Sequence, residues 1–390
     1  MSVERLVPAV LVLSAVACSM AHDELAFLGT LQLAHVVFRH GARSPVVSYP
    51  SDTLTEDQWG VKWGQLSQLG EEQQLELGAY LRRRYANFLP AKHSSEDVLV
   101  RSCDVDRALV SSAILARGLY PPPPDRQLSA VYWQSVPVHA VPEEGDQLLP
   151  VFASSCPAFQ LEVERVNRSL EYQCFKNRTS YLEEFSTRAS GATAMVLHDS
   201  LKSKAYHGEK LPFWSRGVFP QPLSQYNDWN VFFGVACTAP LRRMFVGRLV
   251  HEILEHTQLK AERALRPDRK LFLYGAHDTN LLALLSVLRA WNGELPPFSA
   301  CLMVELRLNQ RQEHVVTVSY KNDTARPPHV LKLPGCRSIA CSIQEFAAVA
   351  SPEAFDESEC EDRPDPQLPL VFHLPARHLR DEWKQCFDVK

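Results

Sequence analysis

The chain lacks the signatures of the commonest cofactor and hydrolase chemistries. It contains no GxGxxG, no GxxxxGK and no GxSxG, which argues against dinucleotide, nucleoside triphosphate and serine-hydrolase chemistry. Its ten cysteines include no CxxC pair, so a zinc ribbon has no ligand set. Charge of one sign is not in surplus: 41 Lys plus Arg face 45 Asp plus Glu, for a net charge of -4. No broad basic surface is therefore available for nucleic acid or anionic membrane, and any anion site must be local. After residue 21 no apolar run approaches the ~20 residues of a membrane span. Internal repeats and long low-complexity segments are also missing. What remains, 45% hydrophobic and 22% charged over 390 residues, has globular proportions and room for two or three domains.

The first residues read as a leader. Arg5 precedes the apolar run Leu6 to Ala17, and the small residues before Ser19 or Ala21 suit cleavage, giving a signal peptide over 1–21. Nine cysteines stay in the remaining chain, an odd number, in a compartment where thiols oxidise. Asn167, Asn177 and Asn322 each open a glycosylation sequon, consistent with an exported protein. The expected locale is secreted, with the lysosomal lumen as the alternative.

Three segments share one pattern of strand, polar turn and helix. Leu31 to Phe38 is strand-like and ends in Arg39-His40-Gly41-Ala42-Arg43-Ser44-Pro45; Ser67 can cap the helix that follows, in which Leu77, Leu81, Tyr85 and Phe88 recur at helical spacing. Arg82, Arg83 and Arg84 fall to the side of that stripe and read as a solvated face. Val98 to Val100 is a short strand closed by Arg101, with Asp104 placed to cap a helix that Pro121 stops. Leu271 to Tyr274 leads into Gly275-Ala276-His277-Asp278 and a leucine-rich helix from Thr279 to Arg289. In sheets of this design ligands bind beyond the carboxyl ends of the strands, so residues 39 to 43, 101 and 277 to 278 can converge. Residues 155–250 are polar and helix-prone and read as a helical insertion between the α/β segments 22–154 and 251–362. A hairpin-like pair, Leu302 to Leu308 and His314 to Tyr320, follows, and 363–390 forms a tail.

Arg39, His40, Arg43, Arg101 and His277 all lie at strand ends where core packing does not require them. Burying such cations without an anion is costly. Arg forks match phosphate oxygens, a neutral imidazole can attack phosphorus in line, and Asp278 is the nearest acid for a departing alkoxide, or else a helix N-cap. The histidines of His251-Glu252-Ile253-Leu254-Glu255-His256 are five apart, about 140° around a helix, and so do not face one metal.

Arg39 to Pro45 resembles the RHGxRxP signature of the histidine acid phosphatases, and His277-Asp278 resembles their His-Asp motif. Five fixed letters in seven arise by chance in a chain of this length about once in ten thousand. Arg101-Ser102-Cys103-Asp104-Val105-Asp106-Arg107 is similar to the family's RSTDxDR, and Pro137 to Pro142 also matches. The prostatic, lysosomal and arthropod venom-type members look nearest. The resemblance implies an α/β fold, a phosphoglycerate-mutase-like three-layer sandwich with a mixed, mainly parallel sheet and an inserted helical domain. It also implies a two-step reaction without metal or other cofactor. His40 takes the phosphoryl group, Arg39, Arg43, Arg101 and His277 hold it, and Asp278 protonates the leaving oxygen. The partners implied are a small phosphomonoester or a phosphoprotein as substrate, and a second copy as a homodimer.

The resemblance further implies the pairs Cys156 with Cys360 and Cys336 with Cys341. The family's usual partner for Cys301 is absent, leaving Cys174, Cys237 or no partner at all. Cys103, where the family has Thr, reads as a buried inert thiol, or as a reactive one if the pocket's cations depress its pKa. Two rivals stand beside an acid phosphatase: a phytase-like inositol polyphosphate phosphatase, and an extracellular phospho-ligand binder with little or no turnover.

Overall fold

Alternation along the first strand shows how the protein is layered. In β1 (Thr30–Arg39) the side chains of Ala34, Val36 and Phe38 enter one apolar cluster, while those of Leu33 and Val37 enter another. A strand buried on both faces needs cover on both sides, which makes a three-layer α/β arrangement. The computed structural model describes residues 25–122, 134–151, 156–355, 360, 370–372 and 380–387. The expected signal peptide and most of the expected tail lie outside the described residues.

The other strands are β2 (Val98–Ser102), β3 (Val138–His139), β4 (Leu271–Ala276), β5 (Cys301–Leu308), β6 (His314–Lys321), β7 (His329–Leu331) and β8 (Ala340–Ser342). Their order is β3-β2-β4-β1-β5-β6-β7, with β8 also on β6. The first four are mutually parallel, and β5 to β8 continue the sheet antiparallel. The register sets Arg39 beside Ala276 and Ser102 beside Gly275, so the carboxyl ends of β1, β4 and β2 finish side by side. Helices α1 (Gln68–Arg84) and α2 (Asp106–Leu119) cover the Phe38 face.

Ser67 caps α1, its hydroxyl accepting the Gly70 N–H at 3.3 Å. Asp104 does not cap α2. It is exposed, and Val105 holds the cap position, because the Cys103 N–H still pairs with the Gly275 carbonyl at 3.0 Å and carries the strand ladder past the expected start. Arg84 also departs from the solvated face expected of it. Its guanidinium is buried against Glu305 of β5 at 2.7 Å, and Arg307 at 2.6 Å and the Tyr85 hydroxyl at 2.9 Å complete a buried ionic group.

Between the second and fourth strands run α3 (Pro157–Arg168), α4 (Leu170–Ser190), α5 (Ala194–Tyr206), α6 (Leu223–Val235) and α7 (Ala239–Ala261). Helix α7 passes unbroken through residue 250. Phe175, Tyr226, Trp229, Phe232 and Phe233 pack together in this helical insert, and Phe232 stacks on Trp291 at 4.5 Å. Helix α8 (Asp278–Val287) follows β4, and α9 (Ile343–Ala350) follows β8. No helix among the described residues is long and apolar enough to cross a membrane.

Disulfides join Cys156 to Cys360 and Cys336 to Cys341. A third, Cys174 to Cys386, fastens residues near the C-terminus to α4, where Trp383 packs edge-on against Phe175 at 5.3 Å. Cys301 has no disulfide partner: it lies at the head of β5 among the apolar side chains under α1 and α2, while Cys174 and Cys237 belong to the helical insert. Cys103 and Cys237 are buried free thiols as well. Asn167 and Asn177 sit exposed on α3 and α4, and Asn322 is half-buried just after β6.

Candidate active site

The three strand ends deliver the chemistry. Arg39 closes β1, and His40 follows with its backbone still pinned, its N–H on the Ala276 carbonyl at 3.3 Å. The chain then turns beneath α1 through Gly41. A Cβ there would overlap the Gly70 carbonyl, so the close crossing of loop and helix demands glycine at this point. His277 leaves β4 as the N-cap of α8, and Asp278 is the first helical residue rather than the cap.

The two imidazoles have opposite tautomers, each set by its backbone. His40 Nδ1 lies 2.8 Å from the Gly41 carbonyl, which can only accept, so Nδ1 carries the proton and Nε2 keeps its lone pair. At His277 the capping box turns the side chain toward the Asn280 N–H, while Asn280 Oδ1 accepts the His277 N–H at 3.0 Å. Nε2, 3.2 Å from Cys103 Sγ, is then the protonated nitrogen and a donor. The rings meet edge to face at 5.2 Å. Burial pushes His40 well below the usual imidazole range, and Arg39, His277, Arg107 and Arg43 push it further. Burial, then Arg107, brings His277 down to about 3. Both rings are thus neutral in mild acid.

Around them stand guanidinium groups that are only partly satisfied. Arg39 Nη1 donates to the Pro296 carbonyl at 2.7 Å and Nη2 pairs with Asp278 at 2.8 Å, while the Phe298 ring lies 4.2 Å from its carbon centre. Arg43 forks onto Asp199 of α5 at 2.8 and 3.2 Å. The Nε–H of Arg39 and that of Arg43 are both buried with no hydrogen-bond partner among the described residues. Burial would raise Asp278, but Arg39, Lys202, His277 and Arg43 outweigh it and hold the carboxyl below its ordinary value.

Arg101 does not join this cluster. Its guanidinium pairs with Asp146 at 2.6 Å and lines a separate cavity of about 850 Å³ beside Arg248, His251 and Glu252. The pleat explains the difference. Val98 and Val100 point to the α1–α2 face, so Arg101 must point to the other. Its place is taken by Arg107, in the first turn of α2, whose Nε donates to His40 Nε2 at 3.3 Å. Burial and the nearby Arg43 bring Arg107 down to about 10. The signal for Arg107 was its position in the first turn of the helix that β2 leads into, where a side chain can face the same crevice as the strand ends.

Asp199 and Lys202 of α5 were also missed, since Asp199 meets Arg43 across 156 residues of chain and Lys202 faces groups on other elements, which leaves no local pattern. The Cys103 thiol is buried, and burial pushes it up to about 12, so the pocket's cations do not make it reactive. His256 stacks on Phe272 at 4.2 Å and meets His35 at 3.3 Å, while His251 is exposed, which separates the two histidines of the zinc-like motif.

Residues 30–321 match the family described as the histidine phosphatase superfamily (branch 2). Prostatic acid phosphatase of Homo sapiens is 35% identical over 334 residues, covering 83% of this chain and 85% of that protein. Lysosomal acid phosphatase of Bos taurus is 35% identical over 332 residues, covering 83% and 78%. Among solved structures, the phytase of Klebsiella sp ASR1 superposes with a TM-score of 0.61 at 16% identity, over 87% of this chain and 99% of that one. At that identity the likeness speaks for the fold alone.

Proposed function

The chain belongs to branch 2 of the histidine phosphatase superfamily, and from that premise we propose that it is an acid phosphatase acting on phosphate monoesters through a phosphohistidine. The observation that carries this reading is the pair of buried, unsatisfied Nε–H groups on Arg39 and Arg43 flanking a neutral imidazole. A buried donor left unpaired costs about 1–3 kcal/mol, and an oxyanion between the two would satisfy both.

In the first step the His40 Nε2 lone pair attacks phosphorus, the P–O ester bond breaks, and the electron pair leaves with the alcohol oxygen, which takes the Asp278 proton. The charge that develops on the ring is held at Nδ1–H by the Gly41 carbonyl. Arg39, Arg43, Arg107 and the His277 Nε2–H hold the three non-reacting oxygens. In the second step water attacks phosphorus, the P–N bond breaks, its electrons return to Nε2, and Asp278 accepts the proton from water. Before substrate arrives Asp278 is ionised beside Arg39. A phosphate that engages Arg39 both weakens that pull and adds negative charge nearby, which raises the carboxyl toward the range where it can serve as an acid.

Single-turnover hydrolysis of an aryl phosphate at pH 5 with EDTA present, for wild type beside His40→Ala, tests the reading. Turnover with acid-labile label on the wild-type protein, both lost in the variant, is expected. A folded wild type that binds phosphate but turns nothing over would favour a phospho-ligand binder. Three disulfides and relatives named for prostate and lysosome support a secretory-route protein.

A further inference from the structure

One face of α5 is turned toward the active site, and the phosphoryl chemistry leaves part of it unused. Asp199, Lys202 and Tyr206 follow the i, i+3, i+7 spacing of a single helical face. Asp199 holds the Arg43 fork, and Tyr206 meets Phe298 edge-on at 4.9 Å, the same ring that lies against Arg39. Lys202, between them, is half-buried and interacts electrostatically with Asp228 of α6, Arg39, Asp278 and Asp199. Yet no carboxylate among the described residues comes within ion-pair distance of its ammonium.

The surrounding carboxylates are committed elsewhere. Asp278 pairs with Arg39 at 2.8 Å, and Asp199 with Arg43 at 2.8 Å. Asp228 is raised by burial to about 6, although Lys202 and the Leu295 N–H pull against that, so in mild acid it is mostly protonated. On the same stretch of α5, His198 is brought by burial down to about 3 and stays neutral, and Lys204 is paired with Asp52. In mild acid Lys202 therefore has no counter-charge of its own, since the ionised carboxylates that face it, Asp278 and Asp199, are each paired with an arginine. Its interaction with Asp278, the group the reaction needs at the leaving oxygen, puts it toward the alcohol part of a substrate rather than the phosphate.

We infer that Lys202 is a specificity-determining residue that receives a second anionic group carried on the alcohol part of the substrate. The favoured substrates are then monoesters bearing a carboxylate or a further phosphate besides the phosphate that is cleaved. This rests on the phosphatase reading above and adds the substrate class to it.

A matched pair of esters isolates the charge: 4-carboxyphenyl phosphate against 4-carbamoylphenyl phosphate, similar in size and in the electronics of the leaving group. The wild type at pH 5 is expected to favour the carboxylate by about tenfold in kcat/KM, the scale of one charge-assisted contact. Lys202→Met should bring the ratio to about one, and Lys202→Arg should keep it. Because the readout is a ratio within one protein, a general loss of rate does not obscure it. In the wild type the preference should fade as pH rises through 6 and Asp228 ionises, whereas Asp228→Asn should hold it to pH 7, a readout that needs no change at Lys202. Equal kcat/KM for both esters in the wild type, or a preference that survives in Lys202→Met, would overturn the inference alone. Absence of turnover on either ester would sink the phosphatase reading and this inference with it.

Discussion

Exchanging Arg107 and Arg101 for alanine, one at a time, should separate chemistry from stability. Arg107 reaches His40 Nε2 at 3.3 Å from the first turn of α2, inside the cluster of cations and imidazoles. Removing one donor from such a site costs about 10²–10³ in kcat, or about 3–4 kcal/mol of transition-state stabilisation. Arg107→Ala should lose that much in kcat/KM with little change in Tm, because a helix-start side chain that is only partly buried contributes little packing. It should also move His40 upward, since Arg107 is one of the charges holding that ring down, and the acid limb of kcat/KM should shift to higher pH. Arg101→Ala instead strands the buried Asp146 carboxylate, its partner at 2.6 Å. Breaking a buried pair from one side costs about 3–5 kcal/mol. The adjoining cavity of about 850 Å³ lets water reach the site and places the loss at the lower end. For a protein of this size about 3 kcal/mol lowers Tm by roughly 4 °C, with kcat/KM of the folded enzyme largely kept. Steady-state kinetics on an aryl phosphate and thermal melts of both variants decide the matter. If Arg101→Ala abolished turnover at unchanged Tm while Arg107→Ala stayed active, the assignment of the third phosphate-holding arginine would be wrong.

Asp278→Asn should slow alkyl phosphates by about 10²–10⁴-fold, but 4-nitrophenyl phosphate far less in the phosphorylation step, because that leaving group needs no proton; rapid-quench kinetics on the two substrates tests this. Glu305→Gln should destabilise the fold by about 3–5 kcal/mol in a urea melt, since Arg84 and Arg307 would lose a buried counter-charge. In the wild type, burial alone would raise Glu305, but Arg84 and then Arg307 hold it at about 2, below its ordinary 4.5. Its stabilisation is therefore complete above about pH 4.5 and is lost as pH falls toward 2, which acid titration of the unfolding free energy should show. Iodoacetamide should leave the native enzyme active at pH 8, because Cys103 is buried and pushed up to about 12; rapid inactivation prevented by phosphate would count against that.

Local pattern carried much of the architecture. The strands that end at Arg39 and Ala276 were legible because each is an apolar run broken by polar residues, and the topology then puts those breaks at one sheet edge. Arg39, His40, Arg43, His277 and Asp278 accordingly meet. Arg101 was misplaced because a residue at the end of a strand was read without its pleat. Position alone suggests the crevice, whereas the Val98–Val100 alternation sends the side chain to the far face. Cys174 with Cys386 was illegible for another reason: their separation of 212 residues is closed by tertiary packing, Trp383 on Phe175 and Phe387 on Phe233.

The same contrast divides the reaction from its specificity. Groups that act on phosphorus come from strand ends and helix starts, where short motifs record them and backbone partners such as the Gly41 carbonyl and the Asn280 N–H set the tautomers. The specificity group inferred above comes instead from α5, in the inserted helices, which reaches the site through long-range contacts such as Asp199 on Arg43. Arg43 is thus held from both sides, its backbone by the loop after β1 and its fork by the insert. A shift of α5 would move the Arg43 fork and Lys202 together while leaving His40 and His277 in place, because the strand ends and the first turns of α2 and α8 hold those two. Substitutions in the insert should therefore change KM and substrate preference before they change the rate of phosphohistidine formation on a small aryl ester.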